Sequence, residues 1–445
     1  MIVPRNKLLF WVAVIVLPFA LLAAVTPASA SEAYAIIGVF IICVGVDAMG
    51  ASRSLTGIAV ELPDVARMSK DREGKVELRV RNPAQQKKQL RVALDWPREI
   101  LPRDEEIDIA LPANAEWSRL SLVCTPRQRG SYHMNSAYLE TTSPFGFWVV
   151  RKTVPATSEM RVYPNLLTER KSLAALFLNR GSFGVHAQRQ IGKGRDFEKL
   201  REYVPGDGYD EIHWKATARR GHPITKVFQI ERTQEVYVIV DASRLSARKP
   251  ENESPAETSI LERFVTASLI LGLAAEKQGD RFGLVTFSDK VEKFVRAKNG
   301  QSHYNACRDA LYTLQPKVVT PDFDELCTFI RLRLRRRALL VFLTALDDPA
   351  IAESFVRNMD LIRRQHLVLV NMVRPPGVHP VFAGAKAGNI DDLYRNLGGH
   401  LQWQNLRELQ KVLQRRAVRF SLLDNESLSS ELVSQYMSVK QRQLL

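Results

Sequence analysis

Acids, bases and a histidine crowd into one short stretch of this chain. From Gly192 to Arg219 the sequence reads GKGRDFEKLREYVPGDGYDEIHWKATAR. It offers Asp207, Asp210 and Glu211 as carboxylates, His213 as a base near neutral pH, and Arg201, Lys215 and Arg219 as fixed cations. General acid–base catalysis needs an acid and a base converging in a pocket, and spacing along one loop does not supply that. No nucleophile elbow, HExxH or Ser/His/Asp order accompanies these residues. A turn flanked by alternating charge needs a partner surface to hold its shape, or else is a charged surface linker, with hydrolase or transferase chemistry by the acids and His213 as a further alternative. Gly192-Lys193-Gly194 is not a phosphate loop, because Arg195 stands where Ser or Thr would be and no buried strand precedes it.

These residues resemble the signature of the DUF58 family, a domain of unknown function found in bacterial membrane-associated proteins. The pattern F-x-x-L-R-x-Y-x-x-G-D is met by Phe197, Leu200, Arg201, Tyr203, Gly206 and Asp207. Its continuation I-x-W-K-A-[ST]-A-R is met by Ile212, Trp214, Lys215, Ala216, Thr217, Ala218 and Arg219. Two positions depart: Asp210 stands where many members carry Arg, and His213 where an acid or Asn precedes the Trp. The resemblance implies a partner-binding role for Arg201, Tyr203, Gly206, Asp207, Trp214, Lys215 and Arg219. Trp214 is expected to pin the signature against the sheet that follows, its N–H satisfied locally. Arg129-Gly130-Ser131-Tyr132 and Ser143-Pro144-Phe145-Gly146-Phe147 are similar to RG-x-Y and DPFG segments upstream of the signature in that family, and are read as turns closing a β-domain.

Past the signature, Asp241-Ala242-Ser243-Arg244-Leu245-Ser246 follows the apolar run VYVIV. This resembles the DxSxS motif of von Willebrand A (vWA) domains, whose loops form a metal-ion-dependent adhesion site. An Asp and hydroxyls at the carboxyl end of a strand are hard oxygen ligands that suit Mg²⁺. The resemblance gives Asp241, Ser243 and the loop residue Thr320 as metal ligands, in a degenerate set. Leu245 replaces the second Ser, and Thr344-Ala345 stands where a hydroxyl-Asp pair is expected, with Asp347 and Asp348 displaced. The competing reading keeps the fold but has Asp241 cap a helix or bond nearby backbone.

The elements that must position these groups read from the hydropathy pattern. Leu8–Val25 is an 18-residue apolar run after Arg5 and Lys7, and Ala33–Val46 is a second, continuing through Asp47 to Gly50. Two spans, about 8–25 and 33–50, make a transmembrane hairpin within 1–54, with Ala28-Ser29-Ala30 leaving a cleaved signal as the competitor. Basic residues on both flanks put the bulk of the chain in the cytoplasm at the inner membrane. Residues 55–163 alternate with period two in Lys75–Val80, Gln89–Leu94 and Ser118–Val123, which predicts an immunoglobulin-like β-sandwich. A signature region and linker, 164–235, with a short helix at Thr168–Leu178, leads to β–α alternation over 236–380. That alternation predicts an α/β domain around a mostly parallel, Rossmann-type sheet, vWA-like by the resemblance above. Residues 381–445 are expected to be a helical extension packed on it.

The chain of 445 residues carries a net charge of +15, which fits nucleic acid or an anionic membrane surface. The densest basic run, Arg331–Arg337, has no aromatic platform or DNA-binding motif beside it, so no nucleic-acid partner is expected. Four scattered cysteines without CxxC spacing predict packed thiols. The DUF58 resemblance further implies a MoxR-type AAA+ ATPase and other vWA membrane proteins as partners. The chain would then be a membrane-anchored, non-enzymatic adaptor in a chaperone-like assembly serving complex maturation or envelope stress. The remaining alternative is an Mg²⁺-dependent protein-binding module without such an ATPase.

Overall fold

The computed structural model describes residues 1–167, 169–171, 174, 191–205, 207–229, 234–248, 259–381 and 389–442. The chain divides into two compact units, Met1–Asn165 and Leu166–Leu445. The short helix expected at Thr168–Leu178 falls largely outside the described residues.

In the first unit, β1 (Ile2–Pro4) leads into two apolar helices, α1 (Asn6–Val25) and α2 (Ala30–Ser52), both long enough to cross a membrane. Pro18 cannot donate a backbone hydrogen bond, and the turn before it widens: Leu17 N–H bonds back to Val12 C=O. Only Leu8 is buried on α1, and only Ala33, Asp47 and Ala51 on α2. The core helix of a soluble domain would be covered; these two leave their apolar sides bare. The second helix is longer than its 14-residue apolar run because it continues through Asp47 to Ser52.

Nine more strands complete this unit: β2 (Ala59–Glu61), β3 (Val65–Ser69), β4 (Gly74–Arg81), β5 (Lys88–Leu94), β6 (Ile100–Pro102), β7 (Glu106–Leu111), β8 (Trp117–Pro126), β9 (Gly130–Thr142) and β10 (Trp148–Tyr163). One sheet runs β1-β10-β9-β5-β7 with β3 paired to β10, and the other runs β2-β4-β8-β6. Val76, Leu78 and Val80 from one sheet share a core with Leu90, Val92 and Leu139 from the other. Their period-two spacing sends alternate side chains inward.

The second unit opens with an antiparallel pair, β11 (Ile191–Glu202) and β12 (Ile224–Gln229), with α3 (Trp214–Arg220) in the connection between them. The signature is thus a hairpin with its own helix, where the sequence pointed to a charged turn and linker. The α/β part follows as β13 (Glu235–Asp241), α4 (Ile260–Lys277), β14 (Arg281–Phe287), β15 (Val291–Lys298), α5 (Gln301–Leu311), α6 (Phe323–Arg333), β16 (Leu339–Leu343), α7 (Pro349–Ile362), β17 (Leu367–Val373), α8 (Ile390–Arg415), β18 (Arg419–Leu423) and α9 (Leu428–Gln441).

The sheet order is β15-β14-β13-β16-β17-β18, parallel throughout except at the β14–β15 edge. Val236, Val238 and Val240 face a core shared with α4, α5 and α9, while Tyr237 and Ile239 face one shared with α6, α7 and α8. Covered on both sides, β13 is apolar at every position between Glu235 and Asp241. The C-terminal extension packs only in part. On α8 the buried residues are Leu406 and Leu413, whereas Ile390, Leu393, Tyr394, Leu397 and Leu401 form an exposed apolar stripe along its first half.

Candidate functional site

In the signature, Asp207 is the hub. Its carboxylate accepts from Val204 N–H at 3.1 Å, Arg201 Nη2 at 2.6 Å and Thr225 Oγ1 at 3.2 Å. The Val204 N–H, followed by the Arg201 and Thr225 donors, holds this acid below its usual range. The three bonds tie the turn after β11 to β12, so Asp207 and Arg201 set the shape of the hairpin. Tyr203 is half-buried, and its N–H donates to Pro223 C=O at 3.1 Å. Gly206 lies outside the described residues.

His213 is a helix cap. Its Nδ1 accepts from Ala216 N–H at 3.0 Å, so that nitrogen carries no proton. It occupies the N-cap of α3, a position that Asp or Asn usually fills by the same bond. Thr217 Oγ1 accepts from Ile224 N–H at 3.0 Å, and Gly221 closes the helix in the left-handed region at φ +74°. Among the described residues these bonds account for His213 structurally, and they do not join it to Asp207.

Trp214 is not the expected anchor. It is 67% exposed, and Tyr209 on the same connection is 78% exposed. Lys215, Arg219 and Arg220 are exposed as well. The signature therefore presents an aromatic and basic surface on a frame made by Asp207, Arg201 and Thr225.

At the carboxyl end of β13, Asp241 is 1% exposed. One carboxylate oxygen accepts from Ser243 N–H at 2.8 Å and the other from the Thr344 hydroxyl at 2.6 Å. Parallel register places Val240 opposite Leu343, so the next residues along, Asp241 and Thr344, are neighbours on the sheet. Burial raises the Asp241 pKa against the opposing pull of these donors. Ser243 is fully buried, with no well-formed hydrogen bond at its Oγ among the described residues. The Ser246 hydroxyl turns back to Ser243 C=O at 2.8 Å, and Leu245 is buried. Thr320 is exposed, on a segment that reaches this end of the sheet through Arg244 N–H to Val319 C=O (3.0 Å) and Lys317 N–H to Ala242 C=O (2.8 Å). Past the end of β16, Asp347 pairs with Arg248.

These donors do not fit a hard divalent cation. Mg²⁺ asks for several unoccupied oxygens in octahedral array. Here the one carboxylate has both oxygens taken by internal donors and is sealed from water. Among the described residues no group of three or more His, Cys, Asp or Glu side chains gathers for a metal. Asp241 instead stitches β13 to β16 and to its own loop. Thr344 was visible as the end of the run ALLVFLT, but only the strand pairing shows that it meets Asp241. Thr225 had no signal in the sequence as a partner of Asp207.

Residues 199–378 match the family described as "Protein of unknown function DUF58". Uncharacterized proteins of Mycobacterium tuberculosis and Mycobacterium bovis are 25% identical over 195 residues, which is 43% of this chain and 59% of theirs. The match thus spans about 59% of the length of those curated relatives. Among solved structures, the conserved hypothetical protein BatB from Bacteroides thetaiotaomicron aligns at 17% identity and TM-score 0.30, over 47% of this chain and 99% of that one. An aerotolerance-related membrane protein from Bacteroides fragilis aligns at 14% identity and TM-score 0.27, over 45% of this chain and 97% of its own. With the signature frame in place, the segment that matches the DUF58 family model runs from within β11 to beyond β17, residues 199–378 of this chain.

Proposed function

We propose that this chain is a membrane-anchored adaptor, without catalytic chemistry of its own, that docks a protein partner on the signature hairpin. The observation that carries the reading is Trp214, 67% exposed on a frame fixed by half-buried hydrogen bonds. A large indole held bare on a shaped support is the kind of side chain that dominates protein interfaces. Lys215, Arg219 and Arg220 around it favour an acidic partner surface.

The family resemblance supplies the class of partner: a MoxR-type AAA+ ATPase, with other vWA membrane proteins, in chaperone-like maturation or envelope stress. Counting the α/β strands from β13, their spatial order is 3-2-1-4-5-6, a doubly wound arrangement. That order supports a vWA-like reading of residues 236–380, with the metal site replaced by the Asp241 stitch. The two sheets sharing one core support an immunoglobulin-like reading of residues 55–163. Arg5 and Lys7 before the helices and Arg53 and Arg67 after them favour a cytoplasmic body at the inner membrane.

The test is a pull-down of the detergent-solubilised full-length protein against a purified MoxR-type ATPase, with and without ATP and Mg²⁺. Capture by the wild-type chain, lost in Trp214→Ala/Lys215→Ala and kept in a surface variant outside the signature such as Val318→Ser, is the expected result. No capture by wild type, or equal capture by both variants, removes the reading.

A further inference from the structure

The loop Ser143–Trp148 joins β9 to β10, and its hydrogen bonding is unusual for an exposed turn. Asp47 of α2 reaches into it: the carboxylate accepts from Ser143 Oγ at 2.6 Å, Phe145 N–H at 3.0 Å and Phe147 N–H at 3.3 Å. Gly146 N–H bonds to Ser143 C=O at 3.0 Å, Trp148 N–H to Ser143 Oγ at 3.0 Å, and Ser143 N–H to Trp148 C=O at 2.9 Å. With Pro144 lacking a donor, every backbone N–H from Ser143 to Trp148 is bonded inside the protein. The carbonyls of Phe145 and Phe147 are taken by Lys7 Nζ at 3.0 Å and Arg5 N–H at 2.9 Å. Even the Trp148 indole N–H is used, on Val44 C=O at 3.0 Å.

A turn in water has no need of this, because solvent satisfies its amides. Yet the tip of the loop is bare, with Pro144 exposed and Phe145 57% exposed. Its height along α2 explains the combination. Trp148 bonds the carbonyl of Val44, and the Phe147 ring meets Phe40 edge-on at 6.1 Å between centroids. Phe40 lies seven residues before Asp47, about 10 Å along the helix axis at 1.5 Å per residue. The loop therefore lies alongside the last two turns of the uncharged run Ala33–Val46.

We infer that Ser143–Trp148 is a membrane-embedded interfacial loop, with the Phe145 ring among the lipid chains and Lys7 and Arg5 beside the acidic headgroups. This rests on the reading that α1 and α2 span a bilayer. In lipid a backbone polar group without an internal partner is costly, so a loop at the edge of the hydrocarbon region needs its donors taken up inside the protein. Asp47 takes the Phe145 and Phe147 N–H groups and the Ser143 hydroxyl, and so accounts for an acid at the end of an apolar helix, where an unpartnered charge is costly. Phe145, Phe147 and Trp148 supply the amphipathic and apolar rings that favour the interface, and the two cations suit anionic lipid.

The experiment reconstitutes the full-length chain, with Cys43→Ser to remove its exposed thiol, in vesicles of phosphatidylethanolamine and phosphatidylglycerol. A nitroxide is placed at Phe145→Cys, at Val39→Cys on the bare face of α2, or at Leu101→Cys on β6. Collision rates with oxygen and with a water-soluble nickel chelate are then compared. The inference expects oxygen to win at 145 as at 39, and the chelate to win at 101. Lipid exposure at 39 with chelate exposure at 145 overturns the inference and leaves the spanning helices standing. Chelate exposure at 39 as well overturns both. Adding Asp47→Ala is expected to shift the 145 label toward the chelate; an unmoved label shows that Asp47 does not hold the loop.

Discussion

Asp241 shows how one residue can keep a motif's position and change its use. Both carboxylate oxygens are engaged, by Ser243 N–H and the Thr344 hydroxyl. Asp241→Ala leaves two buried donors unpaired and is expected to cost about 2–4 kcal/mol. Asp241→Asn costs less, since its amide oxygen still accepts from Ser243 N–H and the Thr344 hydroxyl can turn to accept. Burial raises the pKa of Asp241, so its contribution is full below the ordinary carboxylate range and is lost as pH rises through the raised folded value. Relative to wild type, Asp241→Asn should therefore be more favourable at pH 8 than at pH 5 in urea unfolding. Addition of Mg²⁺ or a chelator should leave the wild-type midpoint unmoved, and an Mg²⁺-dependent rise would restore the metal reading. His366 has the opposite slope. It is 4% exposed with neither ring nitrogen bonded among the described residues, and burial pulls its pKa from 6.5 down to about 4. The unfolded chain takes up a proton first, so stability should fall by about 2 kcal/mol as pH drops from 6.5 toward 4, allowing for partial solvent access. His366→Leu should flatten that limb of the pH–stability curve.

Among the elements, α9 is held by a buried acid as well as by its apolar face. Asp280, 1% exposed in the turn after α4, accepts from the Tyr436 hydroxyl and from Lys440 Nζ at 2.8 Å. Its other oxygen accepts from Gln234 N–H at 3.1 Å, and Lys440 also reaches Gln278 C=O at 2.9 Å. Tyr436→Phe is expected to cost about 1–2 kcal/mol as one bond to a buried charge is lost. Lys440→Met should cost more, about 3 kcal/mol, because Asp280 loses its cation. Hydrogen exchange along Leu428–Gln441 measures both, and unchanged protection in Lys440→Met would show that apolar packing alone holds the helix. The elements themselves were largely legible in the sequence. VYVIV, FGLVTF, ALLVFLT and HLVLVNMV all form strands, because apolar runs of that length suit a sheet covered on both faces. The hairpin of β11 and β12 was not legible, since its charged, aperiodic residues carry no burial pattern and its pairing is made by contacts across more than twenty residues.

At the scale of the molecule, each unit has its own core, and among the described residues only the first carries helices fit for a bilayer. Alkaline carbonate is expected to leave the full-length chain with the membrane pellet, because the apolar sides of α1 and α2 have no protein cover. Release into the supernatant would show that those helices rest on protein surfaces instead. The exposed stripe of α8 and the Trp214 surface belong to the second unit, where partner binding is proposed.

The sequence by itself determined the apolar helices, the period-two strands, the β–α alternation and the signature. Each of these is a local pattern, set by side-chain spacing along the backbone. Tertiary structure alone decided what the polar groups do. Asp47 satisfies a loop about a hundred residues away, Asp241 meets Thr344 across a parallel pair, and Asp207 meets Thr225 across a hairpin. A carboxylate's role depends on which donors reach its oxygens and whether water does, and long-range strand and helix pairing settles both.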